Sequence, residues 1–324
     1  MILTRNIIQR VRQIQIRTGR QVADVLAGEY VSTFKGTGVE FDEVRPYIPG
    51  DDVRTIDWNV SARIGQPYVK RYVEERQLTV MLLIDVSASQ DFGSGHRTKR
   101  ETAAELCALL AFSAIENDDK VGLTLFHAGI EKYIPPRKGQ KHALRVIHEI
   151  LAHRGNLSHE QPSSYNRILD LRSLLPKKRR RSPRTAQQAT SISTALEFLM
   201  RSTKRRSVCF VVSDFFDQNY EHTIRSANRK HDVIAVQISD KRESYLPSVG
   251  MITLTDPETG DINVYDTSSR HFQQTFEALA KQRNTKLAQQ FRSSGIDFIQ
   301  IATSESVVDP LIKFFRGRDR RSRQ

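Results

Sequence analysis

The chain has 324 residues, is 38% hydrophobic and carries a formal net charge of +13, enough apolar material for one sizeable core plus a smaller satellite region. No uninterrupted apolar run approaches the roughly 20 residues a membrane-spanning helix needs, and the N-terminus, interrupted by Arg5, Arg10 and Arg12, lacks the apolar stretch of a secretory signal. The two cysteines, Cys107 and Cys209, lie far apart in apolar segments, which excludes a disulfide framework or a cysteine zinc site and fits a reducing, cytoplasmic setting.

In chain order, Leu3, Ile7, Ile8, Val11 and Ile14 fall at helical spacing with arginines opposite. Residues 28–76 are rich in Gly, Pro and paired charges and carry short strand-like runs. With the first helix they make an N-terminal module over 1–76. From Leu78 the pattern becomes an alternation of strands and helices. Leu78–Ile84 is a continuous apolar run, the mark of a strand buried on both faces. A helix follows, with Ala103, Leu106, Cys107, Leu110, Ala111 and Ala114 on one face. Val121–Phe126 is a second strand. Lys132–Ile134 is a short edge strand that Pro135-Pro136 should end. Ala143, Leu144, Ile147, Ile150 and Leu151 mark another helix.

Residues 156–189 form a polar excursion with one short helix near Ile168–Leu175. Between Asn156 and Ala189 there are eight Lys/Arg against two Asp/Glu, and between Lys313 and Gln324 six against one. The basic character therefore belongs to one loop and one tail, not to a continuous face. Thr190–Met200 is helical, and Val208–Val212 and Val233–Ile238 are buried strands. Ile252–Leu254 and Ile262–Tyr265 flank a hairpin-like insertion. A long helix carrying Phe272, Phe276, Leu279, Ala280, Leu287 and Phe291 ends at Gly295. Ile296–Ile301 is the last strand, and Val307, Val308, Leu311, Ile312 and Phe315 face inward on the last helix. The expected fold is α/β, a doubly wound and mostly parallel sheet spanning 77–316 with a basic insertion at 156–189 and a basic tail at 317–324.

Sites in such folds form at the carboxyl ends of the strands. Asp85, Ser87 and Ser89 directly follow the first buried strand, Thr190 stands at the mouth of a helix, and Asp214 directly follows the strand Val208–Val212. All five are hard oxygen donors, two carboxylates and three hydroxyls, a mixture that suits Mg²⁺. If the hydroxyls ligate directly and the carboxylates act mainly through water, the ion keeps net positive charge toward an open position and attracts a carboxylate from another molecule. No positioned base is evident, so the pattern points to gripping rather than catalysis. The competing reading is ordinary helix capping; three such segments in the right order favour the metal.

Asp-x-Ser-x-Ser, a Thr five residues before Ala-Leu, and Ser-Asp after a buried strand resemble the metal-ion-dependent adhesion site of von Willebrand factor A domains. Gly36–Phe41, Arg45–Trp58, Ala62-Arg63, Pro67–Lys70, Glu74–Arg76 and Asn117–Leu123 further resemble the "domain of unknown function 58" family. That resemblance implies bacterial cytosolic adaptors that act with MoxR-type AAA+ ATPases in assembling or activating client proteins. One departure is Phe215 after Asp214, where many adhesion domains have Gly; an aromatic there should narrow the site.

Arg45–Trp58 has two readings. Pro46, Pro49 and Gly50 give a rigid reversal in which Asp51, Arg54 and Asp57 form an internal charge network. Alternatively, Arg45, Asp51, Asp52, Arg54 and Asp57 form a partner-docking hairpin. Trp58, the only tryptophan, is expected to anchor in the core. The basic segment Lys177–Arg181 with Arg184 reads as a solvated loop or as a nucleic-acid contact, without the aromatic interleaving of a single-strand platform. His142, His148, His153 and His159 lack zinc spacing, and no phosphate loop is present. The residues thus point to a non-enzymatic, Mg²⁺-dependent interaction protein with a client offering an acidic ligand, and the resemblance implies an adaptor with a MoxR-type ATPase as partner; a nucleic-acid-binding protein is the alternative.

Overall fold

The computed structural model describes residues 38–75, 77–153, 190–255 and 262–322. The expected helix over 1–17, the basic stretch 156–189 and the tip of the late hairpin lie outside the described residues.

Five runs of apolar residues become the parallel strands of a six-stranded sheet. They are β3 (Thr79–Asp85), β4 (Lys120–Phe126), β6 (Val208–Ser213), β7 (Asp232–Ser239) and β10 (Asp297–Ala302); the sixth strand, β5 (Ile130–Arg137), runs antiparallel along one edge. The order is β10-β7-β6-β3-β4-β5. Counted within the sheet, that is the doubly wound order 3-2-1-4-5-6.

Why β3 is apolar from Val80 to Ile84 follows from its two faces. Val80, Leu82 and Ile84 pack into one core with Leu106, Leu110, Val146, Ile150, Leu311 and Phe315. Met81 and Leu83 point the other way, into a second core with Leu196, Leu199, Ile224, Leu287 and Phe291. The first core is closed by α2 (Lys99–Glu116), α3 (Gln140–Ala152) and α7 (Val308–Ser322). The second is closed by α4 (Ile192–Ser202), α5 (Glu221–Lys230) and α6 (Arg270–Ser293). Each such side chain, fully buried, contributes about 1.5–3 kcal/mol relative to exposure. Cys107 and Cys209 are buried free thiols, one in each core.

The N-terminal module is an antiparallel pair, β1 (Gly38–Pro46) and β2 (Tyr68–Glu75), enclosing α1 (Trp58–Ile64). The late hairpin is β8 (Met251–Thr255) against β9 (Ile262–Asp266).

Three expectations change. Pro135-Pro136 does not end β5, which continues to Arg137 with a register shift between Val121 and Leu123 of its partner; an edge strand tolerates residues without an N–H. Trp58 is 69% exposed and anchors nothing in the core. The last helix also continues to Ser322, through most of the expected tail. There Arg318 pairs with Asp232 and Asp297, and Arg321 with Asp297 at 2.9 Å. Those aspartates begin β7 and β10, so these arginines are held at the amino ends of the strands, away from the crevice described next.

Candidate metal centre

β3 and β6 are hydrogen-bonded neighbours, with Ile84 opposite Val212. The chain leaves β3 toward α2 on one face and leaves β6 toward α5 on the other. The two connections diverge and open a crevice at the carboxyl ends, the switch point of a doubly wound sheet. Asp85 and Asp214 flank it.

The side chains there form one continuous polar chain. Asp85 is buried and accepts the Ser87 N–H at Oδ1 (2.9 Å) and the Ser213 hydroxyl at Oδ2 (2.7 Å). The Ser87 and Ser89 hydroxyls lie 3.0 Å apart. Ser89 then donates to Asp214 Oδ2 at 2.8 Å. A single 3-10 turn, Ala88–Asp91, sets this spacing. Arg100 braces the turn from α2, donating to Asp91 at 2.5 Å and to the His153 carbonyl at 2.6 Å.

Thr190 is buried at the same edge of the sheet. Its neighbour Ser191 donates its N–H to the His127 carbonyl, just past β4, where Phe126 pairs with Asp85. On the other side, Asp217 Oδ2 accepts the Ile192 N–H at 2.7 Å, capping the start of α4. The Thr190 segment is therefore pinned between the end of β4 and the loop that carries Asp214. Ser213 enters the sequence reading only as the serine of the Ser-Asp pair; Asp217 is not singled out there, and its only signal is proximity to Asp214.

Phe215 does not narrow the crevice. Its backbone adopts φ 57°, a left-handed conformation that glycine takes freely. This turns the ring into the second core, edge-on to Phe291 at 5.1 Å and 5.8 Å from Tyr220. Phe216 is the aromatic at the surface, 48% exposed, with the Arg283 guanidinium 4.0 Å above its ring.

Sequence reasoning missed Lys99 altogether. Only 1% of its side chain is exposed, and its ammonium bridges Asp214 Oδ2 at 2.8 Å and Glu243 Oε1 at 2.5 Å. Burial alone pulls this ammonium down, but the charges of Asp214 and Glu243 together hold it above the usual lysine range. In sequence it is merely the first residue of an amphipathic helix, where a lysine is expected in solvent.

Do these residues fit a divalent cation? Among the described residues no three His, Cys, Asp or Glu side chains gather as a metal cluster, so a metal here depends on the hydroxyls. Ser87 and Ser89, 3.0 Å apart, and Ser89 and Asp214, 2.8 Å apart, are hydrogen-bonded pairs; they bring three hard oxygens side by side, the donor type that Mg²⁺ takes. Burial, followed by the charge of Asp214, pushes the Asp85 carboxyl up to about 7, a strain that a cation would relieve. Ser87, Ser89 and Asp214 are the residues that would hold the ion, with Asp85 behind them and Thr190 at the rim.

The candidate docking residues are held within the N-terminal module, but not by the Asp51–Arg54–Asp57 network expected from the sequence: Asp51 pairs with Arg45, and Asp57 with Lys70. Arg45 grips Asp51 with two bonds of 2.8 and 2.7 Å, and Asp51 also accepts the Ile48 N–H at 2.9 Å. Asp52 caps the short turn through the Arg54 N–H. Asp57 caps α1 through Asn59 and Val60 and faces Lys70 at 3.3 Å. These side chains build the turn; Ile48, Val53, Trp58 and Ile64 are what it exposes. A separate cleft of about 710 Å³, lined by Phe298, Gln300, Glu305, Asp309, Lys313 and Phe314 among others, lies along β10, the outer edge of the sheet away from the switch point.

A doubly wound α/β domain with an oxygen-lined switch point and a small β-module ahead of it is thus the class of protein. Residues 43–286 match the family described as "Protein of unknown function DUF58", and the chain belongs to it. It is 25% identical over 311 residues to the uncharacterized protein Rv1480 of Mycobacterium tuberculosis, covering 96% of this chain and 89% of that one. To the uncharacterized protein YeaD of Bacillus subtilis it is 31% identical over 112 residues, 34% of this chain and 26% of that one. Among solved structures it is similar to the conserved hypothetical protein BatB of Bacteroides thetaiotaomicron, with TM-score 0.43, 15% identity and coverage of 75% and 99%. It is also similar to the SpRpn10 VWA domain, with TM-score 0.37, 12% identity and coverage of 73% and 94%. Among the described residues no helix is long and apolar enough to cross a membrane.

Proposed function

We propose that the chain is a metal-dependent protein-interaction module that grips a carboxylate of a client protein at the β3–β6 switch point. The observation that carries this reading is the convergence of the Ser87, Ser89 and Asp214 oxygens, from two strands far apart in the chain, at the crevice. A bound Mg²⁺ supplies a positive, exchangeable coordination position for an acidic side chain. Ser87 and Ser89 are neutral and leave the ion's charge largely uncompensated, Asp85 orients Ser87, and Asp217 holds the Thr190 segment against the site. The role is binding rather than catalysis. Asp85 is already engaged by Ser87 and Ser213, and Asp214 by Ser89 and Lys99, so neither is placed to take a proton from water.

The resemblance to adaptors that work with MoxR-type AAA+ ATPases supplies the partner in this reading: the ATPase provides the work in the cytoplasm, and this chain holds the client. The exposed Trp58, Ile48 and Val53 of the N-terminal module are a second contact area for such a complex. The test is capture of the co-expressed ATPase and its clients from cells in Mg²⁺ and in EDTA, with Asp85→Asn alongside. The reading expects capture of the client to be lost in EDTA and in the variant, and capture indifferent to both refutes it. The nucleic-acid reading loses part of its basis, because Arg318 and Arg321 are engaged with Asp232 and Asp297.

A further inference from the structure

Lys99 is out of place by every ordinary rule. It sits at the first position of an 18-residue helix, where the helix dipole disfavours a cation. It is almost fully buried, where an ammonium is costly unless paired. Its pairing is what makes the position tenable. Asp214 arrives from 115 residues away and Glu243 from 144, and each accepts from the same nitrogen.

Glu243 is itself fixed. Its other oxygen accepts the Asp240 N–H at 3.2 Å, in a capping box at the end of β7. Asp240 accepts the Ser94 hydroxyl at 2.5 Å and the Thr303 hydroxyl at 2.7 Å. A rigid polar chain therefore runs from the switch point across the ends of β7 and β10, and Lys99 is its link to Asp214. The charges facing the ammonium are Asp214 and Glu243; Phe216 lies 5.8 Å from it, and Arg283, 4.0 Å from that ring, is itself within electrostatic reach of Glu243 and Asp214.

The oxygen that Lys99 holds, Asp214 Oδ2, is the same oxygen that receives the Ser89 hydroxyl. We propose that Lys99 is the resident cation of this crevice: it keeps Asp214 in position without metal and, by repelling an incoming divalent ion, sets the concentration at which the site loads. This rests on the metal-binding reading above and adds to it a residue that tunes affinity. Two positive charges within a few ångströms in a partly buried site oppose each other strongly. Removing the lysine charge therefore tightens binding, and removing the Glu243 charge, which leaves Lys99 wholly to Asp214, weakens it.

The experiment is Mn²⁺ binding to the full chain, followed by the loss of free-ion paramagnetic signal, for the wild type, Lys99→Met, Lys99→Arg and Glu243→Gln. Unfolding by urea with and without Mg²⁺ accompanies it. Lys99→Met is expected to bind roughly ten-fold or more tightly and to gain more stability from Mg²⁺ than the wild type. Glu243→Gln is expected to bind more weakly, and Lys99→Arg to stay near the wild type. Should Lys99→Met fail to fold without metal, the polar and neutral Lys99→Gln carries the same test. Equal affinities in wild type and variants overturn the proposal while leaving the metal reading intact. No binding in the wild type but binding in Lys99→Met overturns the metal reading for the native chain and keeps Lys99 as the group that excludes the ion. No binding in any form overturns both.

Discussion

Ser89 donates its hydroxyl proton to the carboxylate of Asp214 at 2.8 Å, joining two residues 125 positions apart in the chain. The bond closes the crevice between β3 and β6 and puts the two strand ends under one geometric constraint. Its neighbours make Asp214 costly to lose. Asp214→Ala leaves the buried Lys99 with Glu243 alone, and the variant should lose about 3 kcal/mol in urea unfolding without metal. Asp214→Asn retains the shape and a hydrogen-bond acceptor and should lose less. Equal, small losses in both variants would mean that the ion pair contributes little.

Ser213 is a quieter member of the site. Its hydroxyl donates to Asp85 Oδ2 and accepts the Phe215 N–H. Ser213→Ala strips one buried donor and one acceptor and should cost about 1–3 kcal/mol, read as a shift in the urea midpoint with an unchanged slope.

Phe215 sets two effects against each other. Replacing the buried ring removes about 3–5 kcal/mol of packing. The backbone at φ 57° favours glycine over alanine by about 1 kcal/mol. Both Phe215→Ala and Phe215→Gly should therefore destabilise, with the glycine variant the more stable by about 1 kcal/mol. Thermal unfolding of the pair measures this, and the opposite order would show that the turn is unstrained.

His231 gives the fold a pH dependence. It is fully buried, with Nδ1 2.9 Å from the Ser207 hydroxyl, and burial, then the charge of Lys230, pulls its pKa to about 4. The unfolded chain takes up this proton below about pH 6.5 and the native chain only near 4. Stability is thus full above pH 6.5 and falls between 6.5 and 4, by up to about 3 kcal/mol for this group. His231→Gln should flatten that part of the stability curve; an unchanged curve would assign the titration elsewhere.

Trp58, the sole tryptophan, reports on the N-terminal module. At 69% exposure its fluorescence should resemble that of free tryptophan in water, respond to soluble quenchers, and shift to the blue when a partner covers it. Emission of a buried indole in the isolated chain would contradict the placement.

How much of this was legible in the sequence depends on whether the deciding contacts are local. The apolar run of β3 announces a strand buried on both faces because both cores demand it, and Asp85, Ser87 and Ser89 are visible because one turn carries all three. Asp214 follows in the same way from the run Val208–Val212. Lys99 and Glu243 were not legible: a lysine opening a helix looks solvated, and only partners more than 100 residues away bury it. Trp58 misled because size suggests burial, whereas α1 lies on a two-stranded ribbon without the depth to cover an indole. Phe215 misled because its position along the chain suggests the crevice, and only the sign of φ sends it into the core. Pro135-Pro136 suggested a strand end, which holds for an interior strand but not for an edge.

The central claim is that the Ser87, Ser89 and Asp214 oxygens enclose a divalent cation. Crystals grown in Mn²⁺ and measured for anomalous scattering test it directly. The expected peak lies about 2.2 Å from both serine hydroxyls, within reach of Asp214 directly or through one water. No peak in the crevice at saturating Mn²⁺, or a peak only on surface carboxylates elsewhere, would contradict it.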